Sequence, residues 1–326
     1  MLPFIFRRVL QSFAVLLVMS LLVFVGVFAI GNPLEVFIGV QADQAEIVRT
    51  ATALGLDKSL WQQYLLFVQH ACSGDLGNSF AYATPALGLI LERLPATLEL
   101  AITAMLIALL IGLPLGLLAG LKPQSWLSKA IMTGSILGFS LPTFWVGLML
   151  ILLFSVYLGW LPAGGRGETR MVLGVPLSFL TVDGLRHLLL PALNLALFNL
   201  ALMIRLTRAG TQEALQQDYV RFARAKGLSE ARVIGVHVLK NILIPIITVM
   251  ALQFGSVLAF AIVTESIFAW PGMGKLIIDS INVLDRPVIV AYLLLIVLIF
   301  ITINLLVDLI YGLLDPRVRL GETRNT

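Results

Sequence analysis

The stretch DYVRFARAKGLSEARVIGVHVLKNILIP, residues 218–245, is strongly basic and is set between very apolar neighbours. Seven Lys or Arg stand between positions 205 and 240: Arg205, Arg208, Arg221, Arg224, Lys226, Arg232 and Lys240. Each would cost about 2.5 to 3.5 kcal/mol at a bilayer centre, on the order of 20 kcal/mol together, so the segment is expected outside the lipid. Residues 211–225 contain no Gly or Pro, and Leu215, Tyr219 and Phe222 recur at helical spacing as one apolar face. Gly227 is expected to end that helix in a turn, and Ser229 and Glu230 to start a second short helix running to Lys240.

The chain around this loop is of the kind that loop implies. Of 326 residues 59% are hydrophobic and 12% charged, with a mean hydropathy of +0.98, values that exclude a soluble globular domain. The net charge of +4 does not point to nucleic acid, because the cations sit in loops between apolar runs. A lone cysteine, Cys72, excludes an internal disulfide and a cysteine metal cluster.

Six apolar spans are expected, at about 9–30, 96–121, 131–158, 188–206, 242–263 and 288–314. The first follows Arg7 and Arg8 and has 22 residues, about 33 Å of helix, too long for a signal-peptide core and enough for a bilayer. Six spans put both termini on one side. Fourteen of the 22 cations then fall on that side and eight on the other, which makes the terminal side, and the basic loop of 207–241, cytoplasmic. Residues 31–95 form an external insertion, in which Leu60, Tyr64, Phe67 and Val68 share an amphipathic face. Ala104, Ala108, Gly112, Gly116 and Gly120 recur every four residues in the second span, and Gly134 and Gly138 mark the third; such small-residue faces let membrane helices approach closely.

Polar residues within lipid spans need a reason to be there. Glu99, Asn194, Asn199, Gln253, Asn304 and Asp308 are the candidates. Gln253, near the middle of the fifth span, and Asn194 are the candidates for a translocation path, with interhelical hydrogen bonding as the competing role. Asn304 and Asp308, four apart, share a face, and Asp308, near the cytoplasmic end, suits a structural ion pair. No site for covalent or metal chemistry emerges. Gly272-Met273-Gly274-Lys275 lacks the preceding Gly of a phosphate loop and has Leu276 where a Ser or Thr would hold magnesium. His70, His187 and His237 are scattered without ligand spacing.

The segment YVRFARAKGLSEARVIGVHVLKNILIP resembles the coupling loop of permeases of binding-protein-dependent ABC importers, in the dipeptide, oligopeptide and nickel subfamily. The N-terminal RRVLQ, the LGLD stretch, ESIFAWPGMGKL at 265–276 and the LLVDLIYGLLDPRVR end resemble the same subfamily, so the likeness covers nearly the whole chain. Where the general importer motif begins Glu-Ala-Ala, this chain has Arg221, Phe222 and Ala223. The resemblance implies an all-α, polytopic type I importer permease in a single domain, with Ala223, Arg224, Ala225, Lys226, Gly227 and Leu228 docking on a cytoplasmic ATPase. It implies a second permease, two ATP-binding subunits that carry ATP and magnesium, and an external solute-binding protein, for whose contact Trp61, Trp270 and Lys275 are the candidates. The solute would be a peptide, a glutathione-like molecule or a nickel complex, imported across a bacterial inner membrane. A self-sufficient secondary transporter is the rival; against it stand six spans without visible internal repeats or paired broken helices. An intramembrane enzyme is a second rival, without a visible nucleophile and base.

Overall fold

The computed structural model describes residues 2–29 and 58–314, and the side chains of 7–26 and 58–306. The described chain groups into two compact units, one of residues 93–276 and one of residues up to 92 together with those from 277 onward. Residues 31–57 of the expected insertion lie outside the described residues, as do Ile30 at the end of the first span, the side chain of Asp308 and the chain beyond 314.

The elements follow the apolar runs. Helix α1 is Leu2–Ala29, α2 Leu60–Cys72, α3 Ala86–Leu121, α4 Trp126–Ser140 and α5 Thr143–Leu150, which continues as a π-helix, Ile151–Tyr157. A short hairpin of β1, Arg170–Val172, and β2, Val175–Leu177, precedes α6, Val182–Leu215. Then come α7, Asp218–Ala225; α8, Glu230–Arg232; a second π-helix, Val233–Val238; α9, Leu239–Ile267; α10, Met273–Asn282; and α11, Arg286–Leu314. Five helical runs are long and apolar enough to cross a membrane: Arg7–Gly26, Ala86–Leu121, Val182–Leu215, Glu230–Ile267 and Arg286–Leu306.

The expected third span is not one straight helix. It divides into α4 and the α5 run, Thr143–Tyr157, bent by 104°. Leu141 is extended, with ψ 136°, and Pro142 follows at φ −60°; proline excludes its predecessor from the helical region, and the helix ends there. Counted as one broken span, this pair makes the sixth.

In the unit of residues 93–276, the small-residue stripe of α3 does what its spacing predicts. Gly112, Gly116 and Gly120 meet Met203, Thr207 and Thr211 of α6, so that a Cβ on each glycine would lie 2.6, 2.5 and 2.6 Å from the facing Cβ. At Gly116 it would also stand 2.7 Å from the Ile204 carbonyl. Two backbones this close leave no room for a methyl group. Gly134 and Gly138, by contrast, face open space within the chain. Against α6 runs α9: Asn194 meets Thr264, Phe198 meets Phe260, and Gly210 approaches Ile242. These pairs step in opposite directions along the two helices, which are therefore antiparallel.

In the other unit α1 packs on α11 and α2. Tyr64 is buried, shares a 2.8 Å hydrogen bond with Ser20, and stacks edge-on to Phe24. Tyr64, Phe67 and Val68 thus form the inner side of α2, whereas Leu60 is exposed. Asp285, without exposed surface, accepts from the Ser79 hydroxyl and from the backbone N–H groups of Phe80 and Ala81, tying the end of the insertion to the start of α11. Asn304 donates to the Phe300 carbonyl one turn back on its own helix.

Candidate functional site

The basic loop forms a helix, a turn and a helix, but its first boundary differs from the sequence reading. The helix expected over 211–225 is divided: α6 carries on to Leu215, tightens through bonds from Gln216 and Gln217 to Glu213 and Ala214, and α7 starts afresh at Asp218. The break rotates α7 so that Val220 and Ala223 are buried, while Tyr219 and Phe222, of the expected apolar face, are exposed, Phe222 by 69%. Ala223 is therefore a packing residue. Arg224, Ala225, Lys226 and Gly227 are exposed, and Leu228 is half-buried.

Gly227 has φ +76°, the left-handed conformation its place after a helix predicted, and a Cβ there would meet nothing within 4 Å. Leu228 N–H donates to the Ala223 carbonyl and Gly227 N–H to that of Arg224, closing the helix end. Ser229 stands at the cap position of α8, but its side chain accepts no hydrogen bond there. Across the turn Arg224 makes two bonds to the Glu230 carboxylate, of 2.8 and 3.1 Å, and this holds its guanidinium above its ordinary pKa. The chain then enters the π-helix, where Val233 and Val238 are buried. Between α7 and this segment opens a groove of about 400 Å³, lined by Tyr219, Phe222, Lys226, Leu228 and His237 among others.

A second constellation sits where α3 begins and α9 ends. The Glu99 carboxylate accepts from Arg166 Nη2 at 2.6 Å and from the backbone N–H groups of Ser178 and Phe179 at 2.7 and 2.9 Å. Glu265, without exposed surface, accepts from the Thr97 hydroxyl at 2.6 Å and from Lys275 N–H at 3.0 Å, and Thr97 in turn accepts from Met273 N–H. The glycines that suggested a phosphate loop have a different reason: a Cβ on Gly272 would collide with the Glu265 carboxylate, and one on Gly274 would stand 2.6 Å from Ile262 Cα.

Trp270 belongs to this constellation and not to an outer contact surface. It is fully buried, donates from Nε1 to the Ala96 carbonyl at 2.9 Å, and lies under the Arg166 guanidinium. An indole beside a Pro-Gly turn reads as an exposed anchor until its N–H has a buried carbonyl to meet. Lys275 is half-buried, and Trp61, 65% exposed, stacks against Tyr64. Asn194 is buried as well, donating to the Thr264 hydroxyl at 3.1 Å; it ties α6 to α9 and presents no surface to a path. Gln253 is half-exposed. The sequence reading missed Glu265 and Arg166; the glycines flanking Met273 were the available signal, since paired glycines mark a close approach.

The chain matches the family model described as binding-protein-dependent transport system inner membrane component over residues 112–320, and the N-terminal model of the same systems over residues 1–101. The chain belongs to this family. It is 43% identical to the di/tripeptide transport system permease protein DppB of Pseudomonas aeruginosa, over 98% of this chain and 99% of that protein. It is 39% identical to the dipeptide transport system permease protein DppB and to the glutathione transport system permease protein GsiC of Escherichia coli K12, each over 98% of this chain and 99% of the relative. Among solved structures, a chain of the inward-facing MetNI methionine ABC transporter aligns with TM-score 0.55 at 15% identity, covering 70% of this permease and 96% of that chain. This likeness concerns the fold: an all-α, multi-pass ABC importer permease. The permease is a membrane-embedded transport component, not itself an enzyme.

Proposed function

We propose that this permease forms half of the translocation path of an importer for di- or tripeptides or a glutathione-like solute, and that the turn at Gly227 couples it to a cytoplasmic ATPase. A second permease completes the path, two ATP-binding subunits carry ATP and magnesium, and an external binding protein delivers the solute. The solute class rests on the relatives at 43% and 39% identity. The orientation in a bacterial inner membrane, termini inside, rests on the fourteen-to-eight division of cations.

The observation that carries the coupling reading is the exposed outer side of the turn. Val220 and Ala223 anchor α7 from within, which leaves Phe222, Lys226 and Gly227 on the surface around a groove in a chain segment too basic for lipid. ATP-driven closure of the two ATPases would move these turns and rock the helices attached to them. Gly227→Glu tests it: the left-handed backbone adds about 1 kcal/mol of strain for any side chain, but open space around the Cβ lets the fold accept it. The variant should insert normally, co-purify with less ATPase and lose binding-protein-stimulated hydrolysis. Normal assembly, hydrolysis and uptake would withdraw the coupling role of Arg224 to Leu228.

A further inference from the structure

Arg205 lies at the end of the expected fourth span, in the helix Val182–Leu215 that is long and apolar enough to cross a membrane, and is exposed there. Its guanidinium lies 5.0 Å from the centre of the Phe139 ring, and among the described residues it makes no hydrogen bond or ion pair. Phe139 stacks on Phe198 with ring centres 5.0 Å apart, and Phe198 on Phe260 at 6.0 Å, so that an aromatic wall runs across α4, α6 and α9. The wall is not interior packing, since Phe139 is 44% and Phe260 55% exposed.

The register of α6 against α9 extends this surface. With Asn194 opposite Thr264 and Phe198 opposite Phe260, seven further residues along α6 reach Arg205 and seven back along α9 reach Gln253. Seven residues are almost two whole turns, about 10 Å, so each side chain returns to the face that carries the phenylalanine of its own helix. Ser256, also half-exposed, lies between Gln253 and Phe260 on that face. A face with a cation, an amide, a hydroxyl and ring surfaces is not one that lipid tails favour; polar and ionisable residues on membrane-crossing helices face water-filled paths or partners.

We propose that Arg205 and Gln253, beside the Phe139–Phe198–Phe260 wall, form a solute subsite in the translocation path that takes the free carboxylate of a peptide-like solute. This rests on the solute reading above. The unpaired guanidinium supplies charge-assisted donors for the carboxylate, and cation–π contact with Phe139 keeps it aimed when no solute is bound. The rings offer apolar, sequence-tolerant contact for side chains that differ from one solute to the next.

The test uses the complete importer in liposomes with its binding protein, and labelled dialanine and dialanine amide as probes. Wild-type uptake of dialanine checks the solute reading by itself; a wild-type importer that moves no dialanine removes both that reading and this one. Given wild-type uptake, Arg205→Gln should lower the kcat/KM for dialanine, relative to its amide, by about tenfold, the scale of one lost charge-assisted hydrogen bond, and Arg205→Lys should restore most of it. Arg170→Gln, on the exposed hairpin, is the control and should leave both uptakes unchanged. Equal losses for dialanine and its amide, or a loss that follows the anionic-lipid content of the liposomes, would overturn the subsite and make Arg205 a lipid-headgroup contact. Reduced assembly with unchanged uptake per assembled complex would overturn it in favour of a subunit contact.

Discussion

The two ends of the long run Glu230–Ile267 are held in opposite ways. At its far end Glu265 is buried and multiply bonded, in a constellation that also fixes Glu99, Arg166 and Trp270. At its near end the Gly227 turn is held by two backbone hydrogen bonds that close α7, one exposed ion pair, Arg224 with Glu230, and a glycine in the left-handed region. The run is 38 residues, about 57 Å of helix. Segments with few buried contacts open at low cost and densely bonded ones do not. Under the coupling proposed above, the stiff anchorage lies at one end of the run and the ATPase contact at the other, an arrangement suited to a helix moved from one end.

The largest effect is expected at the stiff end. Glu265→Ala would orphan the Thr97 hydroxyl and the N–H groups of Gly274 and Lys275 in a buried place, and unsatisfied buried donors cost about 1 to 3 kcal/mol each. A loss of about 3 kcal/mol or more is expected, read as a lower thermal midpoint of the detergent-purified permease. Glu265→Gln, which retains an acceptor, should lose less. A Glu265→Ala protein melting like wild type would contradict the picture of a rigid anchorage.

Next comes Arg166→Gln. It removes the charge partner of Glu99 and the donor to the Pro176 carbonyl but leaves the carboxylate two backbone N–H groups. Losing one member of a largely buried pair should cost about 2 kcal/mol here, below the full penalty because those N–H groups remain. Limited proteolysis should also cut the 170–177 hairpin faster. Arg170→Gln, changing an exposed charge on that hairpin, should do neither; equal effects from both would mean that charge, not the Glu99 contact, matters.

How much of this contrast was legible follows from the kind of signal each end leaves. The turn is local: charge excludes lipid, a glycine ends a helix, and both are read from a few neighbouring residues. Its helix break at Gln216 was not legible, because the choice of Val220 and Ala223 over Tyr219 and Phe222 as the inner face depends on what α7 packs against. The Gly112, Gly116 and Gly120 stripe announced a close approach, though not that Met203, Thr207 and Thr211 would meet it. The stiff end is built from residues as far apart as Thr97 and Glu265, 168 positions, and no local pattern foretells that Trp270 will be buried. The single span expected over 131–158 runs across the bend at Leu141, because a hydropathy window averages over Pro142, the residue that causes it.

The smallest effect is expected from Glu230→Gln, and it is the sharpest probe of the adaptable end. Both partners of the Arg224–Glu230 pair are substantially exposed, with side chains 43% and 61% accessible, and exposed pairs contribute little to stability because water and salt screen them. The melting curve of the permease should therefore not change measurably. What the pair does fix is geometry: two bonds from one guanidinium across the turn limit how far α7 and α8 can splay around Gly227. Without them the turn samples more conformations, and the ATPase must select among these before binding. Titration of detergent-solubilised permease with the ATPase subunits should show affinity weaker by severalfold at most at low salt, with the difference fading as salt screens the wild-type pair. The double exchange Arg224→Glu with Glu230→Arg should recover part of the affinity if the pair acts within the turn. If the exchange binds as poorly as the worse single variant, Arg224 is instead meeting a carboxylate on the ATPase, and the near end is held by its partner and not by itself.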